Sequence, residues 1–137
     1  MTYHQIMLEN QQLLARQLFE RIGNEGLSSG QPKVLDFLLE HDGCMQKEIA
    51  RACSVEAASV TSLLNKMEKD GLVERKIPRE NRRVSLVWLT DLGREKARSV
   101  RGAFDELEEA LFKGFTQEER TALLEMLVRI HDNLRQE

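Results

Sequence analysis

Cysteine is scarce in this sequence. Cys44 and Cys53 are the only two, too few for a disulfide framework and in keeping with free thiols in a reducing compartment. Aromatic residues make up only 5% of the chain, which argues against an all-β fold and against a large aromatic ligand box as the main feature. No apolar run approaches the roughly 18 residues that a membrane-spanning helix needs. The start, Met1-Thr2-Tyr3-His4-Gln5, carries neither the basic nor the apolar segment of a secretory signal. These absences predict a cytoplasmic chain with no membrane partner. A Ser-His-Asp order, a glycine-rich phosphate loop and metal-ligand spacing are also missing, so neither an enzyme nor a bound cofactor or metal is expected. Exposed acidic pairs such as Glu108-Glu109 and Glu118-Glu119 read as helix surface and capping, not as general acid and base. There is no repeat, low-complexity stretch or flexible linker, and 137 residues suit one domain, with helical extensions.

What is present is positive charge in one place. The net charge is −3, an unpromising value for a partner of nucleic acid until it is divided along the chain. Residues 30–98 hold 13 Lys and Arg against 11 Asp and Glu, whereas the remainder holds 7 against 12. From Arg75 to Arg83 there are five basic residues and one acid, Glu80. Local charge, not the total, is what meets a phosphate backbone.

The periodicity places that charge on a definite scaffold. Ile6, Met7, Leu13, Leu14, Leu18, Phe19 and Ile22 recur at helical spacing, predicting a helix over about 5–22 that Gly23 and Gly26 end. Ser28-Ser29-Gly30-Gln31 matches a capping box for a second helix reaching about Glu40, with Pro32 in its first turn. After the Asp42-Gly43 turn, Cys44-Met45 is a candidate short strand. Gln46 to Ala52 reads as a short helix, Cys53-Ser54-Val55 as a turn, and about Glu56 to Asp70 as the next helix, with Gly71 at its left-handed end. Leu72 to Ile77 and Val84 to Leu89 are rich in β-formers and flank the tip Pro78-Arg79-Glu80-Asn81-Arg82-Arg83, which predicts a hairpin. Thr90 reads as the N-cap of a long helix to about Phe115, and Thr116-Gln117-Glu118-Glu119 as a capping box for a last helix carrying Leu123, Leu127, Ile130 and Leu134. The fold class expected is mainly α with a small β-hairpin: a winged helix-turn-helix flanked by N- and C-terminal helices.

A helix enters the major groove only if its outer face is small or polar enough to approach base edges. Ala57, Ala58, Ser59, Thr61, Ser62 and Asn65 meet that condition. The hydroxyls and the amide can donate and accept, and the Ala and Thr methyls can touch a thymine methyl. Lys66 and Lys69, further along, suit phosphate. The hairpin would lie along the adjacent minor groove, where a narrow A·T tract attracts an inserted arginine. Arg82 is the choice for that role, with Arg79 and Arg83 on backbone or bracing the turn. The plain alternative is a solvated helix face and a hairpin kept soluble by its arginines.

The order of elements and its particular words resemble the MarR (multiple antibiotic resistance regulator) family of bacterial transcription factors. The resemblance rests on Leu27-Ser28-Ser29-Gly30-Gln31, Lys47-Glu48-Ile49-Ala50, Ser59-Val60-Thr61-Ser62-Leu63-Leu64, Met67-Glu68-Lys69-Asp70-Gly71-Leu72-Val73, Asn81-Arg82-Arg83 and Leu89-Thr90-Asp91-Leu92-Gly93. Where the family usually has Asp before the wing arginine, Asn81 stands here. The resemblance implies a homodimer on double-stranded DNA, bound to a pseudo-palindromic operator and most often repressing. About 28–90 would be the DNA-binding lobe, with about 1–27 and 91–137 as the helical dimerisation region. Apolar stripes at both ends, more than a monomer of this size covers easily, point the same way. A second reading keeps the winged fold as a protein-interaction module without DNA.

The resemblance also implies a small-molecule effector, a metal or an oxidant as signal, entering between the dimerisation helices and the DNA-binding lobe. Phe19, Phe37, Leu38 and Phe104 could line an apolar pocket there, and the same residues equally suit plain core. His41, Cys44 and a glutamate could gather at a metal. The zinc-sensing members' usual histidine is missing from the long helix, however, and the peroxide sensors' cysteine from the first. Cys53 has only Arg51 as electropositive company, so a low thiol pKa is not expected.

Overall fold

A computed structural model describes residues 1–136. They fall into two compact units, Met1–Asp105 and Glu106–Glu137. The first begins with α1, Tyr3–Ile22, which starts earlier than the apolar periodicity suggests. Thr2 is the reason: its hydroxyl accepts from Gln5 N while the Gln5 side chain accepts from Thr2 N, a capping box ahead of the first apolar residue. A single 3-10 turn, Gly23–Glu25, follows.

Helix α2, Gln31–Glu40, corrects the expected cap. Gly30 is the N-cap and no side chain caps the helix. Only one arm of the proposed Ser28 box forms: Gln31 Oε1 accepts from Ser28 N at 3.0 Å, while the Ser28 contribution is its carbonyl, accepting from Gln31 N. Gln31 is almost wholly buried, and its amide is satisfied at the other end by donation to Asp70 Oδ2 at 3.3 Å.

Strand β1 (Cys44–Met45) leads into α3 (Gln46–Ala52) and then α4 (Ala57–Lys69). The turn between the two helices takes a left-handed residue at Ser54, φ 53°. Gly71, φ 78°, closes α4 as its position suggests. Strands β2 (Val73–Lys76) and β3 (Leu86–Leu89) pair antiparallel, with Val73 opposite Leu89 and Lys76 opposite Leu86. The β1 strand joins on the far side of β3, giving the order β1-β3-β2. The ladder is therefore shorter than the β-rich runs, and Ile77 to Ser85 form the loop of the wing.

Thr90 caps α5, Asp91–Leu111, through its hydroxyl on Gly93 N at 2.9 Å. The core of the first unit is made by Leu18 and Ile22 of α1, Val34, Leu35 and Leu38 of α2, Ile49 of α3, Val60, Leu64 and Met67 of α4, and Ala97 and Val100 of α5. Leu72, Val73, Val87 and Leu89 close it from the sheet. These are the inward faces that period 3.6 and period 2 dictate.

In the second unit α5 ends at Leu111, four residues before the expected Phe115, because Gly114 takes a left-handed φ of 86° and the chain turns there. Helix α6, Gln117–Arg135, starts at the capping box foreseen for it: Glu119 N donates to Thr116 Oγ1 at 3.1 Å and Thr116 N to Glu119 Oε1 at 2.9 Å. Phe112 and Phe115 meet edge to face, and the Arg120 guanidinium lies 4.5 Å from the Phe112 ring centroid. No helix among the described residues is long and apolar enough to cross a membrane.

Candidate nucleic-acid interface

Helix α4 is divided sharply by burial. Val60, Leu64 and Met67 are inaccessible to solvent, whereas Ala57, Ala58, Ser59, Thr61, Ser62, Asn65 and Lys66 are all exposed. The outer face thus presents nothing bulkier than Asn until Lys66, whose ammonium lies 3.2 Å from Asp70 Oδ2. Ser59, Ser62 and Asn65 make no side-chain hydrogen bond to a described residue, so their donors and acceptors remain available. Thr61 differs: its hydroxyl donates to the Ala57 carbonyl at 3.1 Å and accepts from Gln46 Nε2 at 2.6 Å.

The wing begins where β2 leaves the sheet. Arg75 N donates to Glu68 Oε2 at 3.3 Å and Arg75 Nη2 to the Thr61 carbonyl at 3.4 Å, so β2 and α4 are tied twice. The Lys76 ammonium sits 5.7 Å from the Trp88 ring centroid. At the tip Asn81 N donates to the Pro78 carbonyl at 3.3 Å, and Asn81 Oδ1 accepts from Arg83 N at 3.1 Å. The amide oxygen of Asn81 can fill the acceptor role that an Asp would fill in this turn. Arg79, Arg82 and Arg83 are exposed and form no ion pair with a described residue. Three unpaired guanidinium groups on one loop constitute a local anion-seeking surface.

Elsewhere in the first unit, a cleft of about 440 Å³ opens between α1, α2, the α3–α4 turn and α5. Of the four residues expected to line an apolar pocket, Phe37 forms part of its wall, stacked on His41 with centroids 4.4 Å apart. Leu38 is fully buried, and Phe19 and Phe104 are half-buried. Four charged side chains, Lys33, Asp36, Glu40 and Arg101, stand on its walls beside apolar surface. Arg101 reaches across from α5 to α2, its Nε on Asp36 Oδ1 at 2.6 Å and its Nη1 on Glu40 Oε1 at 2.7 Å. Hydrogen bonding to Arg101 holds the Glu40 carboxyl below its ordinary range. Nothing in the sequence marks this clamp, because Arg101 and Asp36 are 65 positions apart.

Both cysteines are free thiols. Burial, reinforced by nearby Glu48, pushes the Cys44 thiol up to about 11, and burial also raises that of Cys53, whose Sγ lies 3.6 Å from the Lys33 carbonyl. No group of three His, Cys, Asp or Glu side chains able to hold a metal ion occurs among the described residues.

A three-helix lobe whose second and third helices are joined by a tight turn, followed by a two-stranded hairpin with a basic tip, is a winged helix-turn-helix. The MarR family model matches residues 27–85. The HTH-type transcriptional regulator YwoH of Bacillus subtilis (strain 168), itself uncharacterised, is 33% identical over 119 residues, 87% of this chain and 85% of its own length. Other curated relatives are longer, matched over 66% and 57% of their own lengths. Among solved structures, a MarR-family transcriptional regulator from Silicibacter pomeroyi superposes with a TM-score of 0.82 at 25% identity, covering 93% of this chain and 86% of that one. The MepR protein of S. aureus in its DNA complex superposes at 0.87 with 22% identity, covering 97% and 96%, a likeness of fold. The chain belongs to the MarR family; it is a helix-turn-helix transcriptional regulator and not an enzyme.

Proposed function

We propose that the protein binds double-stranded DNA sequence-specifically as a homodimer and represses transcription from a pseudo-palindromic operator. Residues 28–90 read the DNA: Ala57, Ala58, Ser59, Thr61, Ser62 and Asn65 face the major groove, Lys66 faces phosphate, and Arg79, Arg82 and Arg83 lie along the minor groove. The observation that carries this reading is the pairing, on one lobe, of a helix face without bulky side chains and a wing whose three arginines have no acidic partner among the described residues. Residues 1–27 and 91–137 join the protomers, in keeping with the apolar side chains left exposed on α1 (Leu8, Leu13) and α6 (Leu124, Met126, Val128).

A small-molecule effector shifts the dimer between a state whose recognition helices are spaced for DNA and one whose helices are not, and it does so only by its differential affinity for the two. The cleft beside Phe37 is the place we assign to it. A transcriptional regulator acts where the DNA is, and we assign the protein to the cytoplasm on that ground. Light scattering together with DNase footprinting tests the core of the proposal. A dimer protecting two equivalent half-sites about one helical turn apart supports it; a monomer, or a single asymmetric footprint, contradicts it.

A further inference from the structure

Thr61 stands on the outer face of α4, where a hydroxyl would ordinarily be assigned to base edges. Its hydroxyl proton is already committed, and so is one of its two lone pairs. The single proton goes to the Ala57 carbonyl at 3.1 Å, and an oxygen lone pair takes the Gln46 amide at 2.6 Å. A threonine hydroxyl has one proton to give, so none is left for a guanine or adenine acceptor. The carbonyl of the same residue meets Arg75 Nη2 at 3.4 Å. Gln46 opens α3 and Arg75 lies in β2, so supporting helix, recognition helix and wing strand converge on one residue. Arg75 Nε is buried without a hydrogen-bond partner among the described residues. A buried donor left unpaired opposes stability, so this guanidinium is kept in place by its neighbours and not by satisfaction of all its own donors.

We infer that Thr61 is a positioning residue whose hydroxyl joins Gln46 and whose carbonyl meets Arg75, fixing the pose of α4 against α3 and the wing, and that it donates no hydrogen bond to DNA and meets it through its methyl group. The inference rests on the DNA-binding proposal above. With the hydroxyl proton given away, the methyl is the main surface this exposed side chain presents, and its complement in the major groove is the 5-methyl of thymine. Hydrogen-bonded readout then falls to Ser59, Ser62 and Asn65, whose polar atoms are uncommitted. Gln46 affects operator affinity without needing to touch a base.

The test is selection from a randomised double-stranded DNA pool by the full chain, repeated with Thr61→Val, Thr61→Ser, Gln46→Ala and Thr61→Val/Gln46→Ala, with urea melts of the same free proteins. Thr61→Val keeps shape and methyl but loses the hydroxyl; it should weaken binding to the selected sequence about five- to tenfold, the scale of one lost hydrogen bond, without broadening base preference at any position. Gln46→Ala should do the same, and the double substitution should cost no more than either alone, in DNA binding and in the melts. Thr61→Ser should retain affinity on most sequences and lose preference for one thymine. If Thr61→Val broadens preference at a single base pair while Gln46→Ala changes nothing, the hydroxyl reads a base and the inference is overturned. Additive effects of the two substitutions in the melts would likewise remove the brace. If the wild-type chain enriches no sequence, the DNA-binding proposal falls and this assignment with it, which separates the two failures.

Discussion

Arg82→Ala removes a cation from the wing tip and nothing from the fold. The side chain is exposed and pairs with no described acid, and the turn beneath it is held by Asn81 Oδ1 on Arg83 N at 3.1 Å, a bond the substitution leaves in place. Stability should therefore change by less than about 0.5 kcal/mol, as for a surface site without a named structural role. Binding should change greatly. A homodimer presents Arg82 twice, and each cation that neutralises a phosphate charge, in the groove or on the backbone, contributes about −0.9 to the slope of log affinity against log salt, so losing both should make the slope shallower by about 1.8. Carried through to affinity, that counterion contribution amounts to about 30-fold at 0.15 M salt and about 200-fold at 0.05 M. Fluorescence anisotropy on a selected operator duplex across a salt series, beside thermal melts of both proteins, measures both quantities. An unchanged slope would show that Arg82 neutralises no charge on the DNA. A melting temperature lowered by several degrees would show that the tip arginine is structural, and either result refutes the reasoning.

Other outcomes follow from the same structure. A Cβ at Gly93 would overlap the Leu72 carbonyl oxygen, which is backbone and already accepts from Thr90 N; Gly93→Ala should cost more than about 3 kcal/mol, read as lost soluble yield or a much lower melting temperature, and a wild-type melt would contradict it. With the Cys44 thiol pushed up to about 11 and that of Cys53 also raised, neither is appreciably thiolate at neutral pH; peroxide at moderate excess should leave DNA binding unchanged and iodoacetamide should label slowly, whereas rapid labelling would show that burial does not control these thiols. The Glu25 and Glu40 carboxyls are held below their usual value of 4.5, the first mainly by its hydrogen bond from Lys96 and the second by that from Arg101. A group with a depressed native pKa contributes stability above its unfolded value, and that contribution is lost as pH falls through the native one. Thermal stability should therefore decline from just above pH 4.5 downward, and Lys96→Met with Arg101→Met should flatten that limb; an unaltered acid limb would mean other carboxylates govern it.

Much of this molecule was legible because its signals are local. The capping box at Thr116 and the Thr90 cap, the left-handed Gly71 and the β-rich flanks of a basic tip each lie within a few residues of what they determine. Boundaries were misjudged where a local cue competed with periodicity: Thr2 starts α1 ahead of its apolar stripe, and Gly114 stops α5 although the pattern runs on. Ser28 lost its capping role because α2 begins only at Gln31, which makes Gly30 the N-cap and leaves the Gln31 side chain to bridge Ser28 N and Asp70. Hidden altogether were contacts between distant positions. The Arg101 clamp on Asp36 and Glu40, and the Gln46–Thr61 bond, join side chains that only the packed helices bring together. A cleft pooled from four elements likewise follows no linear pattern, which is why, of the four residues expected to line an apolar pocket, Phe37 alone lies on its wall, beside charged side chains.

The most direct test of the central claim is anisotropy of the purified chain on the DNA upstream of its own gene against a shuffled duplex of equal length and composition, with Arg82→Ala alongside. The account predicts tight, salt-sensitive preference for the upstream DNA that the substitution weakens. Equal, weak binding to both duplexes, indifferent to Arg82, would contradict it and leave the winged fold to a protein partner.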